Sequence, residues 1–168
     1  MRRYSLLGMI LIACFLATAC KTTRHFDGET YRDKETRYRI GKLSSSWKRL
    51  NVEEQNDLAW YNKSVNSVIQ VNSSCDRALD IPLVALTNHL LIGFTNREYK
   101  EQVTVQMAER EALRTLVNAK LDGVPKEMIM QILKKDGCVY DFALIASPGE
   151  DFEAAKPDFD AMLAGFES

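Results

Sequence analysis

Met128-Ile129-Met130-Gln131-Ile132-Leu133-Lys134-Lys135-Asp136-Gly137-Cys138-Val139-Tyr140-Asp141-Phe142-Ala143-Leu144 is the stretch whose reading decides the fold. Its first six residues are apolar except for Gln131 and are bounded by turn signals, the pattern of a short buried strand. Asp136-Gly137 takes the positive φ angles that a tight hairpin turn needs. Beyond it, Cys138, Tyr140, Phe142 and Leu144 recur with period two, as one face of a strand does. The two runs therefore predict an antiparallel hairpin at the centre of a sheet.

Working back from this hairpin, Asp122-Gly123-Val124-Pro125 stops the preceding segment and redirects the chain. That segment admits two readings. Leu113, Thr115, Val117, Ala119 and Leu121 would share one strand face, but Leu116 would then fall on the polar side. As a helix from Met107 to Ala119, the same residues put Ala108, Ala112, Leu113, Leu116 and Val117 on one stripe and Glu109, Arg110, Glu111 and Arg114 in water. Ala, Leu, Glu and Arg are good helix formers, and the helix is the reading taken. Before it, Val103 and Val105 alternate with polar residues as a short strand. Asp80-Ile81-Pro82 opens another helix, which carries Leu83, Leu86 and Leu90 and ends near Gly93. Upstream, Tyr38–Gly41, Trp47–Leu50, Asp57–Tyr61 and Val65–Val71 read as extended pieces.

Downstream of the hairpin, Ser147-Pro148-Gly149 breaks the strand. Phe159, Met162, Leu163 and Phe166 then form a helical stripe, with Pro157 near its start. The expectation is an α+β fold: an antiparallel sheet packed against two middle helices and a C-terminal helix, in a single α/β sandwich domain over residues 37–168. The early Trp47, the middle helices, the Lys135-Asp136-Gly137-Cys138 hairpin and the closing Phe159-x-x-Met162-Leu163-x-x-Phe166 helix together resemble the PsbP-like and DcrB-like group. That resemblance implies a sandwich with an antiparallel sheet and a non-enzymatic accessory or assembly role, with no shared catalytic residues.

At the other end of the chain, Arg2-Arg3, an apolar run from Leu6 to Leu16 and Ala17-Thr18-Ala19 precede Cys20. A charged start, a short apolar core and small residues describe a signal peptide, here residues 1–19. The run is too short to span a bilayer. The placement of Cys20 resembles the lipobox of bacterial lipoproteins, whose thiol is acylated and becomes the mature N-terminus. Cys14 in Leu11-Ile12-Ala13-Cys14 also fits the local pattern, but it would leave only a minimal apolar core. Acylation with two or more chains makes membrane attachment durable. Lys21 stands where Asp would be the inner-membrane retention signal, so the resemblance implies an outer-membrane, periplasm-facing address in a cell with two membranes. Residues 20–36 are charged or small, with isolated Phe26 and Tyr31, and read as the lipidated N-terminus and a flexible tether.

The whole chain has 22 basic and 23 acidic residues. Loss of residues 1–19 removes Arg2 and Arg3 and no acid, leaving 20 against 23, a net charge of −3. Without a basic surplus, nucleic acid is not an expected partner. The expected partners are the membrane, through the lipid, and an envelope protein. Of the four cysteines, Cys75 and Cys138 remain in the body, and an oxidising compartment favours a disulfide between them.

The sequence carries no familiar catalytic or cofactor pattern. There is no Gly-x-Ser-x-Gly, no His-Glu-x-x-His, no P-loop and no dinucleotide glycine pattern, so no cofactor is expected. A nucleophile–histidine triad would depend on His25 or His89. Glu53-Glu54 and Glu150-Asp151 read as solvated acids, and Met128 and Met130 as core residues and not metal ligands. The sequence thus points to a lipid-anchored, non-catalytic envelope protein. Its rival is a small-ligand or lipid carrier with a cavity lined by Leu83, Leu86, Met128 and Phe142.

Overall fold

The computed structural model describes residues 24–52 and 56–168. The signal peptide and Cys20 lie outside the described residues, as do Glu53 and Glu54. The strands are β1 (His25–Phe26), β2 (Thr30–Arg32), β3 (Arg37–Arg39), β4 (Lys48–Arg49), β5 (Leu58–Asn62), β6 (Ser67–Ser74), β7 (Phe94–Met107), β8 (Arg110–Leu121), β9 (Val124–Lys135) and β10 (Cys138–Ala146). Two α-helices, α1 (Leu83–Leu90) and α2 (Glu150–Ala164), and two short 3-10 turns, Lys63–Val65 and Arg77–Leu79, complete the described elements.

Three two-residue turns, Ala108-Glu109, Asp122-Gly123 and Asp136-Gly137, join β7 to β10 as consecutive hairpins. All six residues have positive φ, between 49° and 80°. That is the geometry which matches the right-handed twist of the flanking strands. The resulting sheet has the order β4-β5-β6-β10-β9-β8-β7 and is antiparallel throughout, while β1-β2-β3 form a smaller sheet. The hairpin read from Met128–Leu144 lies at the middle of this order, with β10 against β6 and β9 against β8.

Alternation along each strand divides the core in two. On one face Ile69, Val71, Ile129, Leu133, Phe142 and Leu144 meet Phe152, Phe159 and Met162 of α2, together with Tyr31 and Tyr38. On the other, Met128, Met130, Ile132, Val117 and Val139 meet Leu86 and Leu91 around α1. Gly41 marks the closest backbone approach. A Cβ there would sit 2.2 Å from the Ala161 carbonyl oxygen, and the Gly41 N–H donates to Met162 O at 2.9 Å.

The helix expected over Met107–Ala119 is instead β8, paired with β7 and β9 along its length. Leu113, Thr115 and Val117 face the α1 side, and Leu116 is no misplaced apolar residue because it packs into the α2-side core. Burial on both faces imitated helical spacing, and ladder pairing overrode the local helix propensity. Only one middle helix exists among the described residues.

The expected tether also changes. From Arg24 onward the chain belongs to the body: Tyr31 is fully buried in β2 and stacks on Tyr38, with ring centroids 5.0 Å apart. Its isolated aromatics, Phe26 and Tyr31, are the anchors of the small sheet. Similarly, α2 begins at Glu150, seven residues before the exposed Pro157. Glu150, Asp151 and Glu153 thus occupy its first turn, where carboxylates complement the helix dipole.

Candidate functional site

The end of the sheet at the Asp136-Gly137 turn gathers most of the molecule's unusual polar groups. Cys75 follows β6 and Cys138 opens β10, and because Ser74 is paired with Val139 the two cysteines lie directly opposite. They form a disulfide, with Cα atoms 4.0 Å apart. The chain enters the body at this same end: the Arg24 guanidinium donates to Asn56 O at 3.3 Å, immediately before Asp57.

A cavity of about 550 Å³ opens beside the disulfide, at this end of the sheet. Arg77, Arg110, Lys134 and Lys135 supply its cations, Asp76, Asp80 and Asp136 its acids, and Leu79 and Val139 apolar wall. Lys134 Nζ pairs with Asp80 at 2.6 Å and also donates to Ile81 O at 3.1 Å. This ion pair holds the Asp80 carboxyl below its ordinary value. Asp80 therefore fastens the approach to α1 to β9 and does not cap the helix, whose N-cap is Pro82. Asp76 caps the turn Arg77–Leu79 by accepting from Ala78 N–H at 2.9 Å. Among the described residues, Arg77, Arg110 and Lys135 have no side-chain hydrogen bond or ion pair.

Next to the cavity end, a buried acid cluster ties β5, β6 and the small sheet together. Asp57 accepts from Tyr38 Oη at 3.2 Å and from Ser73 Oγ at 2.5 Å, and its N–H donates to Asn72 Oδ1 at 3.1 Å. Burial raises its pKa, and the hydroxyl donors partly offset that rise. Burial and the Asp57 charge push both Tyr31 and Tyr38 well above the usual tyrosine range, so both remain hydroxyl donors. Asp141 stands across from Asn72 on β10. Its Oδ1 is buried without a partner, and burial, with the Asp57 charge second, pushes its pKa to about 7. The alternation of β10 gave no sign of this carboxyl beyond its placing an acid between Tyr140 and Phe142.

The residues considered for chemistry do not assemble. His89 is exposed on α1, and no described side chain is bonded to it. Met128 and Met130 are buried in the α1-side core. Leu86 of α1 packs in one core with Met128, whereas Phe142 packs in the other under α2, so the carrier cavity expected between them is divided by the sheet itself. Among the described residues no three His, Cys, Asp or Glu side chains form a metal-binding group, and no helix is long and apolar enough to cross a membrane.

No protein-family profile matches the chain. No curated protein matches it by sequence either. Solved structures do match. Cyanobacterial PsbP (CyanoP) from Synechocystis superposes with a TM-score of 0.55 at 12% identity, over 94% of this chain and 98% of that one. The fold is PsbP-like. The same architecture appears in LpqN of Mycobacterium tuberculosis, a protein involved in cell envelope biogenesis, with a TM-score of 0.53 at 9% identity over 77% of this chain and 82% of that one. The Ran-binding protein Mog1p of Saccharomyces cerevisiae matches with a TM-score of 0.51 at 10% identity, over 88% and 94%. At such identities the PsbP-like likeness is one of fold alone, and the site must be argued from this chain's own residues.

Proposed function

We propose that this chain is a lipid-anchored protein of the bacterial cell envelope, non-catalytic, which binds a protein partner or assists an envelope complex. Its address is the outer membrane, facing the periplasm, where the cell has two membranes. The observation that carries the reading is where the body begins. Arg24 is bonded into the fold four residues after Cys20. Four residues reach at most about 14 Å when fully extended. Acylated Cys20 would therefore hold the disulfide end close to the lipid headgroups, without a long tether. The disulfide suits an oxidising compartment, and LpqN offers a PsbP-like fold already in envelope service.

Metabolic labelling with a fatty acid tests the anchor. Wild type and Cys14→Ala should incorporate label, and Cys20→Ala should not; unchanged labelling of Cys20→Ala would refute the assignment. Crosslinking in intact envelopes should then recover a protein partner with the anchored chain. Recovery of none, in an experiment where a known envelope complex is captured, would argue against the partner role.

A further inference from the structure

We infer that the cavity beside the disulfide is a binding site for a phosphate-bearing ligand of small-molecule size. Its volume, about 550 Å³, falls within the range of ligand pockets. Charge separates it from the rest of the molecule. The whole chain has a net charge of −1, yet the cavity lining holds four cations against three acids. The acids are also the more occupied set. Asp80 is neutralised by Lys134 and Asp76 is engaged as the cap of the Arg77–Leu79 turn, so only Asp136 among the lining acids has no such partner. Arg77, Arg110 and Lys135 are left to face an anion.

Those three arrive from separate elements: the turn after β6, the start of β8 and the end of β9. The disulfide fixes the first beside the β9–β10 hairpin, and the β8–β9 ladder fixes the other two, since Ala112 is paired with Leu133. A phosphate suits such a set because its oxygens accept from a guanidinium fork and from an ammonium together. Leu79 and Val139 line the same cavity and would cover an apolar or glyceryl portion next to the phosphate. Two sources have this chemistry, the headgroup of an anionic phospholipid and a soluble phosphate ester. The lipid source rests on the anchoring reading, but the site itself does not.

The test is calorimetric titration of the full chain in neutral detergent with glycerol 3-phosphate, at low salt. Saturable binding with a Kd below about 1 mM is expected. Arg77→Ser/Arg110→Ser should weaken it at least tenfold without moving the thermal unfolding midpoint. Lys120→Ser/Lys126→Ser, which removes the same charge at the far end of β8 and β9, should leave it unchanged. Absence of saturation, or equal weakening by both double variants, would overturn the site. Vesicles with and without phosphatidylglycerol then separate the sources: competition by the anionic vesicles alone supports the site and assigns it to a headgroup, and no competition supports it and assigns it to a soluble ester. Labelling at Cys20 is independent of this titration, so failure of the anchor and failure of the site are distinguishable.

Discussion

Under α2, the sheet is closed by a large aromatic core in which Phe142, Tyr140 and Tyr38 each lie within 5.1–6.0 Å of Phe166, ring to ring. On the opposite face, the eight-residue α1 reaches β8 and β9, and Asn72 of β6 stands beside Asp141 of β10. The first face is built to hold the fold, and its polar groups are paired, Asp57 with Tyr38 and Ser73 and Arg114 with Asp160. The second carries a partnerless buried carboxyl, and the cavity lined by four cations and three acids opens at the disulfide end of the sheet. The difference teaches where to look for function: on the face that spends less of its surface on stability.

The largest effect expected from this contrast is in the core. Phe159→Ala should lower unfolding free energy by about 3–5 kcal/mol, and Leu86→Ala beneath α1 by about 2–3 kcal/mol. Denaturant unfolding of both variants checks this, and equal losses would erase the distinction between the faces. Next comes the Cys75→Ala/Cys138→Ala pair. Its disulfide spans a sequence separation of 63, for which the chain-entropy model gives about 4 kcal/mol as an upper value and strain-free geometry is needed to reach it. About 3 kcal/mol is expected, together with weaker glycerol 3-phosphate binding because the Arg77 turn is released. Gly41→Ala forces a Cβ into the α2 backbone and should cost about 2 kcal/mol, with loosening of the small sheet visible as increased exchange of the Ile40 N–H, which donates to Glu29 O.

The smallest effect has the opposite sign. The pKa of Asp141 is raised to about 7 against about 3.9 in the unfolded chain. Its neutral form is therefore favoured by the fold. That contribution is fully present below about pH 3.9 and is lost as pH rises through about 7. Asp141→Asn should be more stable than wild type at pH 8, by about 1–2 kcal/mol after allowance for solvent access, and indistinguishable from it at pH 4. Thermal unfolding across this range checks the sign. A variant that is less stable at pH 8 would mean that the carboxylate is paired, and that the α1 face is less exposed to chemistry than the contrast holds.

Much of the fold was legible in particular residues. Period two in Cys138–Leu144 and the Asp136-Gly137 turn located the central hairpin because a strand with one apolar set and a glycine-bearing turn each leave a direct mark. Ala108-Glu109 left none, since neither residue is a usual choice for positive φ, and so the β7–β8 hairpin was invisible and β8 passed for a helix. Tyr31 leaves no mark because an isolated aromatic has no period, and its burial comes from stacking on Tyr38 in a core to which Tyr140 and Phe166, remote in sequence, contribute. Of the site, the Cys75–Cys138 pairing followed from compartment and cysteine number. The cavity did not, because Arg77, Arg110 and Lys135 converge only through the sheet register. β7 shows the same limit from the other side. Its free edge is guarded by Arg97, Glu98, Lys100 and Glu101 and by two bulges, as exposed edges commonly are, but its length could not be read from the Val103–Gln106 alternation.

The proposed anchor at Cys20 requires an orientation: a body held by its disulfide end against the membrane, with the cavity at the headgroups. Glu109 and Asp122 sit in turns at the two ends of β8, about 40 Å apart for a strand of 12 residues. Fluorophores on Glu109→Cys and Asp122→Cys, introduced singly into the lipidated full chain in vesicles carrying a headgroup-bound quencher, read that orientation directly. Strong quenching at residue 109 with little at residue 122 is the predicted result. Equal quenching at both, or the reverse order, would contradict it.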